Sequence, residues 1–149
     1  MQNLYAVNAL VHWDEREIAA REHMTRFFAA EIRSFLQDAN PAWSVRRVEA
    51  PLLVPRSLIS SAYTREDVWV QERLDGHDHD LVLRPETTPS TYVAMQHLLY
   101  THQGARLPLC VWQAGKSFRR EQDQPTKFMR LKEFHQQEFQ ALRHPRLIL

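Results

Sequence analysis

Glycine is nearly missing from this sequence: among 149 residues it occurs at Gly76, Gly104 and Gly115 alone. A loop that cradles phosphate with backbone N–H groups needs several glycines within a few residues, so P-loop and dinucleotide-fold readings are excluded. Cysteine is scarcer still. Cys110 stands alone inside an apolar run, which excludes an internal disulfide and fits a small buried side chain in a reducing, cytoplasmic setting. Neither sign of charge dominates: 19 Lys and Arg against 18 Asp and Glu give a net charge of +1. A broad electrostatic footprint for nucleic acid or membrane is therefore not expected, and any RNA contact is local. No long apolar run occurs, so no signal or membrane-spanning segment is expected. There are no repeats or low-complexity tracts. What is present is 44% apolar and 25% charged residues, the balance of a globular domain long enough to bury a core.

In chain order, residues 1–12 suit a strand or a loose arm. Residues 13–39 read as a long helix, with Ile18, Met24, Phe28, Ile32 and Phe35 at helical spacing. Asp14 is the expected N-cap, Glu15 and Glu17 suit the first turn, and Asn40-Pro41 ends the helix. The apolar stripe is wide, so this helix is expected to pack on a sheet or on a partner chain. Residues 44–54 read as a strand with Val45 and Val48 toward the core. Pro51 interrupts it, which belongs at an edge or an interface. A short helix over 58–63 and strands over 67–74 and 80–83, joined at Asp75-Gly76, come next. The tract Gly76-His77-Asp78-His79-Asp80 reads as a polar turn, and no metal site is expected there. A second helix over 89–102 should begin with Thr88 as cap and Pro89 in its first turn.

Residues 115–140 carry the chemistry. Two β-suited runs flank a polar loop at 122–127, which predicts a hairpin. Alternation along a strand places Arg119 and Glu121 on one face, and Arg130, Lys132, Phe134, Gln136 and Glu138 on one face of the returning strand. If those faces coincide, the floor suits a nucleoside triphosphate. A guanidinium forks onto phosphate, a ring stacks on a base, and carboxylates hold Mg²⁺ or an amine. A plain charged hairpin with one buried Phe carries the same residues without that chemistry.

The pattern Phe118-Arg119-Arg120-Glu121, a loop, then Arg130-Leu131-Lys132-Glu133-Phe134 resembles motif 2 of the class II aminoacyl-tRNA synthetases. Upstream, a long helix followed by Val48-Glu49-Ala50-Pro51 resembles motif 1, the dimer element of that family. Leu83-Arg84-Pro85-Glu86-Thr87 and Phe134-His135-Gln136-Gln137-Glu138 resemble the amino-acid loop and the F-T-Q-A-E segment of class IIa enzymes, the glycyl enzymes most of all. The resemblance implies an α/β (α+β) fold, an antiparallel sheet flanked by helices with the motif 2 hairpin at its centre. Residues 1–149 would form a partial catalytic domain, with motif 1 over about 16–54, the amino-acid loop over 83–88 and motif 2 over about 109–140.

The resemblance also implies roles. Arg119 and Glu121 would be catalytic, holding the α-phosphate and positioning ATP directly or through Mg²⁺. Arg130 would reach the β- and γ-phosphates, and Phe134 would stack on adenine. Glu86, Gln136 and Glu138 would receive a small amino acid, glycine first, and tRNA would then accept it on a homodimeric, cytoplasmic enzyme. No glycine follows Gly115, so the glycine-rich motif 3 is expected to be missing and the fold incomplete on its C-terminal side. The motif 2 loop offers only Lys127 where family members often carry arginine. A non-catalytic paralogue or accessory subunit that binds nucleotide or a partner is the alternative. Arg84 and Glu86 forming a plain ion pair at the helix entry is the alternative to an ammonium site at Glu86.

Overall fold

The computed structural model describes residues 13–60, 80–101, 105–119 and 131–144, together with the backbone of 6–7, 10–11 and 70–71. It divides into two units, Met1–Pro41 and Ala42–Leu149. In the first, β1 (Ala6–Val7) and β2 (Leu10–Val11) form a minimal antiparallel pair with Val7 opposite Leu10. Helix α1 (Glu15–Ala39) starts where the sequence signals it. Asp14 accepts from the Glu17 N–H at 2.8 Å, and the Glu17 carboxylate accepts from the Asp14 N–H at 2.9 Å. Two of the N–H groups left over at the helix start are thereby satisfied. No residue of α1 is buried, and Met24, Phe27, Phe28 and Phe35 are exposed.

Among the described residues, the second unit holds two three-stranded sheets. In one, β7 (Leu109–Phe118) lies between β3 (Ser44–Arg47) and β8 (Glu133–Leu142). The hairpin expected over 115–140 is present and longer than predicted: every residue of β7 pairs with β8, from Leu109 opposite Leu142 to Phe118 opposite Glu133. Strand β3 runs parallel to β7, so a parallel pair joins the expected antiparallel one. In the other sheet, β6 (Leu81–Leu83) lies between β4 (Leu53–Pro55) and β5 (Val70–Gln71), antiparallel to both. The single strand expected over 44–54 is thus two strands in two sheets. Pro51 has no N–H to donate to a ladder, and the chain changes sheets around it. Short helix α2 (Arg56–Ser60) begins two residues earlier than predicted. Arg56 is ion-paired with Asp80 at 2.7 Å. The Asp75-Gly76 turn and His77 to His79 lie outside the described residues.

Helix α3 (Thr88–Tyr100) lies on the β7–β8 hairpin. Met95 packs with Leu109 and Val111, and Val48, Leu98, Leu99 and Ala105 close this core. Val54, Ile59 and Val82, with Leu58, form a second cluster in the smaller sheet. The expected cap Thr88 is instead the first helical residue, and Thr87 occupies the cap position with no side-chain cap bond. The Thr87 carbonyl accepts from the Thr91 N–H at 3.1 Å and from the Ser90 and Thr91 hydroxyls at 2.9 Å each.

Candidate functional site

Opposite residues of an antiparallel pair share a face. On β7 the face toward α3 runs Leu109, Val111, Gln113, Gly115, Ser117; opposite them stand Leu142, Gln140, Glu138, Gln136 and Phe134. The apolar half is covered by α3. The polar half begins at Gln113 and leads to Arg119, one residue beyond the strand.

Arg84, at the end of β6, is 2% exposed and sits against this polar half. Its Nε donates to the Lys116 carbonyl at 2.8 Å, and Nη1 donates to the Ala50 carbonyl and to Gln113 Oε1, both at 3.0 Å. Burial pushes the guanidinium below its ordinary range, while the Glu49 and Glu138 carboxylates oppose the shift. An ion pair between Arg84 and Glu86 does not form; carbonyls and an amide hold Arg84 instead. Gly115 has no Cβ because the guanidinium needs the space: a Cβ built there collides with Arg84 Nη2. Gln113 is fully buried and its amide is used at both ends. Nε2 donates to the Thr87 carbonyl at 2.9 Å and to the Thr91 hydroxyl at 2.6 Å, while Oε1 accepts from Arg84. Sequence reasoning missed Gln113 and the role of Arg84. The available signals were a long polar residue following Leu109-Cys110-Val111-Trp112 and a glycine inside a strand.

Of the residues predicted to form the floor, Arg119 and Phe134 are brought together. The Arg119 guanidinium lies over the Phe134 ring, 5.2 Å from its centroid. Arg119 Nε donates to the Pro85 carbonyl at 3.0 Å, and the Arg119 N–H donates to the Lys132 carbonyl at 2.9 Å. Gln136 and Glu138 also adjoin on this face, with Gln136 Nε2 donating to Glu138 Oε1 at 3.3 Å. The Thr88 hydroxyl donates to Glu138 Oε2, which is what this residue does in place of capping α3. Glu86 is half-buried in the loop between Pro85 and Thr87 and forms no hydrogen bond or ion pair among the described residues. Glu121 and Arg130 lie outside the described residues.

Among the described residues, two buried polar atoms on this face lack a partner, Ser117 Oγ and Gln136 Oε1. Unmet hydrogen bonds of buried groups are costly, so both atoms are places where a water or a polar ligand would be stabilising. Arginine, an aromatic face, a carboxylate and unspent polar atoms fit a nucleotide and an ammonium group. Among the described residues no three His, Cys, Asp or Glu side chains converge to hold a metal, and Glu121, the carboxylate expected to act through Mg²⁺, is not among them.

The family model for the class II tRNA synthetase core domain (G, H, P, S and T) matches residues 64–148, more than half of the chain. The chain belongs to this family of class II synthetase core domains. Among solved structures it is similar to pyrrolysyl-tRNA synthetase from Desulfitobacterium hafniense, with a TM-score of 0.55 and 19% identity over 79% of this chain and 38% of that one. It is also similar to a protein described as a threonyl-tRNA synthetase from Aeropyrum pernix, with a TM-score of 0.53 and 19% identity over 66% of this chain and 22% of that one. At this identity the likeness concerns the fold. The chain spans 38% of the length of the pyrrolysyl enzyme it matches. No curated protein matches it.

Proposed function

We propose that this chain carries the ATP-binding and amino-acid-binding floor of an aminoacyl-tRNA synthetase that activates a small amino acid, glycine first. The observation that carries this reading is Arg119, held by the Pro85 carbonyl with its guanidinium over Phe134, beside the Gln136–Glu138 pair. Family membership supports the reaction class. In it, the carboxylate of the amino acid attacks the α-phosphate of ATP, pyrophosphate leaves, and an aminoacyl-adenylate forms before transfer to tRNA.

Arg119 neutralises the α-phosphate as charge builds, and Arg130 and Glu121 complete the nucleotide site. Bound Mg²⁺ would supply further charge neutralisation on the phosphates. Catalysis by such a floor is positioning and electrostatics. The ring of Phe134 offers its remaining face to adenine. For the amino acid, the ammonium needs anions and acceptors. Glu138 supplies charge and is oriented by Thr88 and Gln136. Gln136 Oε1 is a buried acceptor without a donor, and Glu86 is a carboxylate without a partner among the described residues. Three acidic or amide groups around one ammonium leave little space for a side chain.

The test is titration calorimetry of ATP with the wild type and Arg119→Ala, followed by pyrophosphate exchange against all twenty amino acids with the full-length protein. Loss of ATP binding in the variant and exchange driven by glycine support the reading. Preference for threonine, proline or histidine places the chain in another branch and removes the glycine assignment. ATP binding without exchange for any amino acid favours a non-catalytic relative. The exposed apolar stripe of α1 and the exposed Pro51 favour a homodimer, read by sedimentation at roughly tens of micromolar. A cytoplasmic setting follows from the synthetase reading; no described helix is long and apolar enough to cross a membrane.

A further inference from the structure

The Arg84 side chain donates no hydrogen bond to a group that the reaction uses, yet Arg84 has more anchors on the hairpin than any other residue of the 83–88 loop. Its N–H donates to the Leu52 carbonyl and its own carbonyl accepts from the Phe118 N–H, both at 2.9 Å. The backbone of Arg84 therefore joins the end of the smaller sheet to the end of β7. The side chain adds Lys116, Ala50 and Gln113 and passes over the bare Cα of Gly115. The next residue, Pro85, is itself fully buried and has its φ fixed by its ring. Burial and the ring restrict how this residue can move, and its carbonyl is the acceptor that Arg119 Nε uses at 3.0 Å.

We infer that Arg84 is a positioning residue for Arg119: by fixing the Pro85 carbonyl against β7, it sets where the Arg119 guanidinium stands over Phe134. This deepens the proposed function and rests on its reading of Arg119 as the phosphate ligand. Lysine cannot replace Arg84, because one ammonium on a flexible stem cannot reach Lys116, Ala50 and Gln113 with a planar fork. Alanine at Gly115 pushes the guanidinium away from the other side and leaves Arg84 chemically intact.

The experiment follows the side-chain Nε–H of Arg119 by ¹⁵N NMR in the full chain, assigned by its disappearance in Arg119→Lys. In the wild type this proton should be shifted by the Phe134 ring and slow to exchange, because it is bound to Pro85. In Arg84→Lys and in Gly115→Ala it should move toward the position of a solvated arginine. Calorimetric affinity for ATP should fall about tenfold or more in whichever variant keeps the wild-type circular dichroism. A purely structural Arg84 would lower the melting temperature and leave the Arg119 signal in place, which overturns the inference. So does an Arg119 Nε–H that exchanges freely in the wild type, a result that does not depend on either variant folding. Wild type that binds no ATP while the Arg119 signal responds as expected sinks the functional reading and leaves the positioning role standing.

Discussion

Along β7, Leu109 and Val111 meet Met95, Leu98, Leu99 and Val48, whereas Gln113, two residues further on the same face, meets Arg84, Thr87, Ser90 and Thr91. Leu109, Val111 and Gln113 are buried to the same degree and held by different physics. At the apolar half, burial itself stabilises, at about 25 cal/mol per Å² of apolar surface. At the polar half, burial costs free energy unless every donor and acceptor finds a partner. Gln113 meets that demand with its full amide. Ser117 Oγ and Gln136 Oε1, farther along, leave it unmet. The site begins where the hydrophobic core stops and where hydrogen bonding stops being self-sufficient.

The comparison predicts different consequences for the two halves. Leu109→Ala leaves a cavity under α3 and should cost about 2–5 kcal/mol, read by urea unfolding, with ATP affinity of the folded protein unchanged. A matched loss of ATP affinity would show that the halves are coupled. Gln113→Leu fills the same volume but strips partners from Arg84 Nη1 and the Thr91 hydroxyl. About 1–3 kcal/mol of stability should be lost, together with a change at the Arg119 signal. A variant as stable as wild type would mean that the buried network is relieved by water.

Arg119→Ala should reverse the pattern. Stability should fall by about 1 kcal/mol, for the lost bond to the Pro85 carbonyl and the contact with Phe134, while ATP affinity drops by about 1.5–3 kcal/mol, tenfold or more. Equal affinities in calorimetry would remove Arg119 as the phosphate ligand. The smallest effect belongs to the opposite face of the hairpin, where Lys116 and Glu133 pair at 2.5 Å with both side chains about half exposed. Lys116→Ala should cost less than about 1 kcal/mol and leave ATP binding untouched, since the Lys116 carbonyl that Arg84 uses is unaffected. A loss of ATP affinity comparable to that of Arg119→Ala would break the division between faces.

What the sequence determined by itself is what short range decides. The Asp14–Glu17 capping box spans four residues, and strand alternation needs only local counting to put Phe134, Gln136 and Glu138 on one face. The two β-suited runs around a polar loop likewise predicted a hairpin that the ladder from Leu109 to Phe118 bears out. The meeting of Arg119 with Phe134 followed from the same alternation once the two strands paired. Only the tertiary structure decided that Pro51 divides two sheets and that Thr88 serves Glu138 rather than its own helix. It alone made Arg84 a tie for backbone carbonyls instead of a partner for Glu86. The partners of Arg84 lie 29 to 34 residues away in sequence. A buried guanidinium takes whichever acceptors the fold leaves unsatisfied at its position, and that choice is made by three segments converging in space, which no local pattern of residues encodes.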